Sequence, residues 1–266
     1  MTAAQASLPS VVPGLCWPAF PGRADARILA AQWQRDHALS RQAAVADDTA
    51  LLLALQWQFE RSEWSSPQDL QARQLSQLDA LFAHAWHRVP FYRARLAAAG
   101  YRPDSPLSWA IFRAIPVLRR SEVQAAGASL YACSWPPQHG KAYREATSGS
   151  TAEPIEFAAT DIVKVMWHAL TLREHLWHRR DFGARLAAIR SVIDPGERPD
   201  WGLPVTLLGP TGPASGLRVS TPVPEQAAWL AERDPEYLLS YPSNLAALAR
   251  EFIARGFRLT RLREAR

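Results

Sequence analysis

Thr147-Ser148-Gly149-Ser150-Thr151-Ala152-Glu153-Pro154 is a hydroxyl-rich turn between two short runs with strand character, Tyr143 to Ala146 and Ile155 to Ala159. Four hydroxyls and a glycine in a tight turn combine side-chain donors with closely approachable backbone N–H groups, the equipment for holding phosphate oxygens. An ordinary polar turn is the alternative reading of the same residues. The segments downstream of the turn decide the fold class. Thr160 is a natural N-cap for a helix over Asp161 to His178, and Arg185 to Val192 and Tyr237 to Tyr241 have strand character again. The latter runs into an amphipathic helix, Asn244 to Arg255, with Leu245, Leu248, Phe252 and Ile253 on one face and Gly256 ending it. Strands alternating with helices predict an α/β architecture.

Upstream of the turn the punctuation differs. Residues 1–22 hold Pro9, Pro13, Pro18 and Pro21 without periodicity and read as a loose leader. Residues 23–100 read as a helical entry region. Within it Ser66 can cap, Pro67 suits the first helical position, and Leu70, Leu75, Leu78, Leu81, Phe82 and Ala85 make one apolar face. Val89-Pro90 interrupts that face, and Gly100 is the expected C-cap of the short segment from Phe91 to Ala99. Residues 101–266 read as an incomplete α/β domain carrying the turn, with the Gly- and Pro-rich stretch from Asp194 to Pro224 as an exposed excursion.

Composition narrows the function classes. The 266 residues are 48% hydrophobic and 21% charged, an ordinary globular mix that excludes collagen-like, wholly disordered and disulfide-scaffold chains. The leader has neither a charged n-region nor a continuous apolar h-region, and no apolar stretch approaches the roughly 18 residues of a membrane span. Cys16 and Cys133 lie far apart without metal-ligand spacing; reduced thiols and a cytoplasmic address are expected. The net charge of +5 is concentrated in residues 246–266, which hold six Arg against two Glu. Those arginines alternate with apolar residues, as in Arg258-Leu259-Thr260-Arg261-Leu262-Arg263, which reads as the solvated face of an edge strand or helix rather than a nucleic-acid site.

The turn resembles the signature phosphate loop of the adenylate-forming ligases, and within them of the phenylacetate–coenzyme A ligase and CapK-like branch. That loop reads Thr-Ser-Gly-Ser/Thr-Thr-Gly-x-Pro, matched here at Thr147, Ser148, Gly149, Ser150, Thr151 and Pro154. Leu78 to Ala85, Val89-Pro90-Phe91-Tyr92-Arg93 and Ile115-Pro116-Val117-Leu118 are similar to the branch's approach to the loop, and Tyr241-Pro242-Ser243 to a later strand-to-helix turn. The match runs from about Gln71 to the C-terminus. The resemblance implies a helical entry followed by part of the large N-terminal α/β domain of such a ligase. It implies ATP-dependent activation of a small carboxylic acid as an acyl-adenylate, with Mg²⁺, and with coenzyme A as an acceptor the family uses. Thr147, Ser148, Gly149, Ser150, Thr151 and Pro154 would hold the ATP phosphates, with Tyr241 and Ser243 on the substrate or nucleotide side.

The sequence also departs from the family. Ala152 stands in place of the loop's second glycine and Glu153 where a lysine is common. The later motifs have no counterpart: no aromatic-Gly-x-Thr/Ser-Glu, no Thr/Ser-Gly-Asp and no late lysine, since Lys141 and Lys164 are the only two. A truncated or split ligase, its other half on a separate polypeptide, is therefore the expectation, with a non-catalytic remnant or binding module as the alternative. An unpaired edge and an uncovered apolar face are expected near Phe257 to Leu262.

Weaker signals read as structural. His168, His175 and His178, and likewise His84 and His87, have no partners completing a zinc pattern and are expected to pack or face solvent; no metal site is assigned. Lys141 reads as exposed. Tyr241 and Ser243, at the carboxyl end of a strand where α/β proteins place ligands, have capping and packing as their alternative role.

Overall fold

The computed structural model describes residues 23–37, 47–147 and 154–266. The chain divides into two compact units, residues 1–173 and 174–266, with the boundary inside a helix.

In the first unit α1 (Arg23–Asp36) packs on α2 (Asp47–Glu63). Small residues on α1, Ala26 and Ala30, allow the approach, and Trp33 Nε1 donates to Glu60 Oε1 at 2.9 Å. Leu52, Leu53, Leu55 and Phe59 are all buried, so α2 is apolar on more than one side, the mark of an interior helix. α3 (Pro67–Arg88) starts as its sequence dictates: Ser66 Oγ accepts the Asp69 N–H at 3.1 Å, and Pro67 occupies the first helical position. Val89 turns extended before Pro90 opens α4 (Pro90–Ala98), which ends at Gly100 with φ +86°. The Tyr101 N–H closes that end on Leu96 O. Tyr101 is fully buried beside Ala85, Val89, Leu96 and Leu107, its hydroxyl donating to the Asp79 carbonyl at 3.0 Å.

Two short helices come next, α5 (Trp109–Ala114) and α6 (Arg120–Ala126), and then an antiparallel pair, β1 (Ala142–Ala146) and β2 (Glu156–Thr160), one residue displaced from the expected runs. α7 (Asp161–Trp177) leaves β2 directly and leads into the second unit. Buried Gln56 on α2 donates to the Ala169 carbonyl of α7 at 2.8 Å.

The second unit is a five-stranded sheet with helices. Its strands are β3 (Leu186–Arg190), β4 (Gly196–Arg198), β5 (Ala214–Arg218), β6 (Tyr237–Leu239) and β7 (Glu264–Ala265), in spatial order β4-β5-β3-β6-β7. All neighbours are parallel except β4, which runs antiparallel to β5. α8 (Val223–Arg233) crosses from β5 to β6, and α9 (Pro242–Arg255) follows β6 and ends on Gly256 at φ +67°. Ala187, Ile189 and Leu238 of the sheet pack against Ala227 and Leu230 of α8 and Leu248 of α9.

The stretch expected to be an exposed excursion holds a strand of this sheet. Ala214, Ser215 and Gly216 of β5 are buried and paired with β3. Gly216 is needed there: a Cβ would fall 2.8 Å from the Asp194 carbonyl oxygen, so turn-like composition reflects close backbone approach inside the sheet. The tail differs from expectation as well. Phe257, Leu259 and Leu262 pack against the core instead of leaving an apolar face uncovered. Its arginines form the expected solvated face, with Arg258, Arg261 and Arg263 exposed, and three of them also pair within the unit: Arg261 to Asp234 and Glu236, Arg263 to Asp181, and Arg266 to Glu174.

Candidate functional site

The β1–β2 hairpin positions the phosphate-loop candidate. Its register places Ala146 opposite Glu156, and the next pair, Thr147 and Ile155, closes it. The Thr147 N–H donates to Ile155 O at 3.0 Å, and the Ile155 N–H donates to Thr147 Oγ1 at 3.0 Å. The connection across the hairpin mouth is longer than the two to five residues of an ordinary hairpin. Of the candidates in it, Ser148, Gly149, Ser150 and Thr151 lie outside the described residues. Thr147 and Pro154 are exposed at its two ends. Thr147 Oγ1 is already an acceptor within the hairpin, so toward a phosphate its hydroxyl proton is what remains to offer.

At the opposite end the hairpin is anchored to α7. Asp161 Oδ2 accepts the Lys141 N–H at 2.8 Å, and the Asp161 N–H returns to Lys141 O at 3.2 Å. Gly140 makes room for that carboxylate. Lys141 itself is exposed. Lys164 Nζ lies 3.8 Å from the centre of the Tyr143 ring, whose hydroxyl donates to Thr160 O at 3.1 Å. Burial, with Glu145 and Asp161 nearby, pushes the Tyr143 hydroxyl up from its ordinary value.

Tyr241 and Ser243 belong to the second unit. The Tyr241 hydroxyl accepts the Ser191 N–H at 3.1 Å and lies 2.7 Å from Ser191 Oγ, while the Arg190 guanidinium sits 4.4 Å over its ring. Donation from Ser191, aided by the Arg190 charge, holds the phenol below its ordinary value. Ser243 is exposed in the first turn of α9. Behind them runs a buried polar relay that sequence reading missed. Ser240 Oγ donates to Ile189 O at 3.2 Å, Asn244 Nδ2 donates to Ser240 Oγ at 3.0 Å and to Gln226 Oε1 at 2.8 Å, and Gln226 donates to Val219 O and Thr221 O. The relay ties together the segments that follow β3, β5 and β6. Its signal in the sequence was Gln226 and Asn244 interrupting otherwise apolar helix faces.

The histidines take structural places. His175 is 5% exposed, T-shaped to Phe182, with Nδ1 3.3 Å from Arg180 Nη1. Burial, with Arg266 and Arg180 nearby, pushes it down to about 4, so it is neutral at pH 7. His84 is held below its ordinary value by burial, with Arg88 adding to the effect. No group of three His, Cys, Asp or Glu converges among the described residues. No helix among them is long and apolar enough to cross a membrane.

No protein-family model matches the chain, and no curated protein matches it. Solved structures do. An open conformation of 2-hydroxyisobutyryl-CoA ligase in complex with 2-HIB-AMP and CoA matches with a TM-score of 0.54 and 20% identity over 77% of this chain. The same ligase in the thioesterification state, with 2-HIB-AMP and CoA, matches with a TM-score of 0.52 and 22% identity over 74%. The chain covers 49% and 42% of those two chains, so it spans about half their length or less. At that identity the likeness establishes architecture: an α/β fold corresponding to part of an adenylate-forming ligase.

Proposed function

We propose that the chain takes part in ATP-dependent activation of a carboxylic acid. A carboxylate oxygen attacks the α-phosphorus of ATP, the bond to the β-phosphate oxygen breaks, and acyl-adenylate and pyrophosphate result. The observation carrying this reading is the convergence of the Thr147–Pro154 motif with a hairpin that closes at Thr147 and Ile155, in a chain whose fold matches ligases holding an acyl-adenylate and CoA. The motif supports the phenylacetate–coenzyme A ligase and CapK-like branch, in which CoA is an acceptor, and the two widely spaced cysteines, Cys16 and Cys133, support a cytoplasmic setting.

Thr147, Ser148, Ser150 and Thr151 would donate hydroxyl protons to the β- and γ-phosphates, and Gly149 would let the backbone N–H groups approach. Such chemistry is chiefly positioning and charge stabilisation. Mg²⁺ would neutralise phosphate charge; the described residues supply no cluster of three ligands for it, and the groups that complete the reaction in the family, an acidic residue, a ribose-binding Asp and a late Lys, would be supplied from outside these 266 residues. A second reading, a binding module without turnover, is favoured by the absence of those three motifs from the sequence.

The test is nucleotide-dependent stabilisation. Mg²⁺-ATP or pyrophosphate at millimolar concentration should raise Tm, because a ligand that binds only the folded state stabilises by mass action, and Gly149→Val should abolish that rise while the fold persists. An unchanged melting curve for the unaltered chain would leave an ordinary polar turn. Acid-dependent pyrophosphate release, assayed with hydroxylamine as acceptor, separates a complete activity from a binding module.

A further inference from the structure

A strand's alternate residues share a face, and β3, β5 and β6 are in parallel register. Arg190 at the end of β3 is the register partner of Arg218 at the end of β5. Ala188 pairs with Leu239 on β6, so continuing by two residues brings Tyr241 beside Arg190, where its ring receives the guanidinium at 4.4 Å. Arg218, Arg190 and Tyr241 thus form a row across three adjacent carboxyl ends. The row faces away from the α8–α9 core, which takes Ala187, Ile189, Leu217 and Leu238 from the alternate positions. A third guanidinium, that of Arg198, lies against Gly216, one position back from Arg218 on the same face; its Nη2 donates to the Asp194 carbonyl at 2.9 Å.

This grouping is unfavourable by itself. Like charges on directly paired strand positions repel, and none of the three arginines is ion-paired among the described residues, whereas Arg180, Arg233, Arg261, Arg263 and Arg266 all are. The location is also one where open α/β sheets bind ligands. From β3 the chain goes to β5 on one side, and from β6 it goes to β7 on the other, so the carboxyl ends of β3 and β6 flank a topological switch point. Beside the cations lies the Tyr241 ring, with half-buried Leu239 in the row behind, and Val192, two residues on from Arg190, is 92% exposed.

We propose that Arg190, Arg198 and Arg218, with Tyr241, form a recognition site for the carboxylate of an organic acid. The guanidinium fork matches a carboxylate in a bidentate manner, and the neighbouring apolar surface suits an acid with a hydrocarbon part better than a bare inorganic phosphate. The proposal rests on the acid-activation reading for the identity of the ligand, not for the location of the site.

Isothermal titration of the full chain with phenylacetate, octanoate and glutarate, against phenylacetamide and inorganic phosphate, tests it. At least one of the three acids should saturate, phenylacetamide should not, and Arg190→Gln or Arg218→Gln should weaken the acid at least about tenfold, as loss of a charge-assisted contact does. Without ligand, Arg218→Gln should melt no lower than the unaltered protein, because removing one of two facing like charges relieves repulsion; a lower Tm with unchanged affinity would make the arginines structural and overturn the site. Failure of all three acids to saturate, equal binding by the Arg190→Gln/Arg218→Gln double variant, or phosphate displacing the acid would also overturn it. The unaltered chain separates the two readings: acid binding without any Mg²⁺-ATP response sinks acid activation and keeps this site, a nucleotide response without acid binding does the reverse, and Gly149→Val should lose the nucleotide response while keeping the acid.

Discussion

Arg180, whose side chain is only 2% exposed, grips Glu264 with two hydrogen bonds, Nε to Oε2 at 2.8 Å and Nη2 to Oε1 at 2.5 Å. The pair joins the segment just after α7 to β7, and Arg266 reaches Glu174 alongside it. β7 pairs with β6 over only two residues, and these side-chain bonds add to the backbone bonds that the Arg263 and Arg266 N–H groups donate to Glu236 O and Leu238 O. Glu264→Ala would leave a buried guanidinium with Glu174, at 3.2 Å, as its one remaining carboxylate among the described residues. Removing one partner of a buried pair costs about 3 kcal/mol. Glu264→Ala should therefore lower the free energy of unfolding by about that amount in urea titration, and Arg263→Ala, at an exposed pair, by less than about 1 kcal/mol.

The same cluster sets an acid limit on stability. Glu264 is held below its ordinary value by the hydrogen bond from Arg180; burial pushes Glu174 up, but Arg266 and Arg180 outweigh it and hold that carboxyl below its own. His175 is pushed down to about 4 by burial, with Arg266 and Arg180 nearby. All three are depressed in the folded state, so their contribution is fully present above the unfolded values and is lost as pH falls through the folded ones. His175 acts first, from pH 6.5 to about 4, and the carboxylates below about pH 4.5. Stability measured against pH should decline across the histidine window by up to about 3 kcal/mol, and His175→Gln should flatten that decline while leaving the carboxylate limb. An unchanged slope would place the proton uptake elsewhere.

Local signals were legible where one residue type decides a geometry. Ser66-Pro67 set the start of α3, Gly100 and Gly256 the ends of α4 and α9, and strand-like runs marked β1, β2, β3 and β6 within a residue or two. β5 was not legible, because Gly216 reads as a turn until the Asp194 carbonyl is brought over it. The arginine tail was legible in its alternation, with Arg258, Arg261 and Arg263 exposed, but not in its pairings, because the carboxylates Asp234, Asp181 and Glu174 arrive from 27 to 92 positions away. At the candidate site, the motif identified the hairpin mouth through Thr147 and Pro154, and Tyr241 was recognisable as a strand end. Arg190, Arg198 and Arg218 were not, since only the sheet register places them on one face.

Gly140 tests whether the hairpin anchor matters to the candidate loop. It has φ +73°, and a Cβ there would fall 2.3 Å from Asp161 Oδ2, the atom that accepts the Lys141 N–H. Gly140→Ala therefore combines a left-handed backbone, costing roughly 1 kcal/mol for an L-residue, with displacement of a carboxylate from the first turn of α7. The hairpin is exposed at most positions, so little packing is available to absorb the change. The variant should lose about 1–2 kcal/mol and show faster amide exchange at Tyr143 and Glu145 than at β3, because the damage is local to an element of low stability. If the loop depends on the anchor, Gly140→Ala should also shrink the Tm rise given by Mg²⁺-ATP; a full nucleotide response in a hairpin that exchanges freely would detach the phosphate-holding role from the hairpin and return Thr147 to a purely structural one.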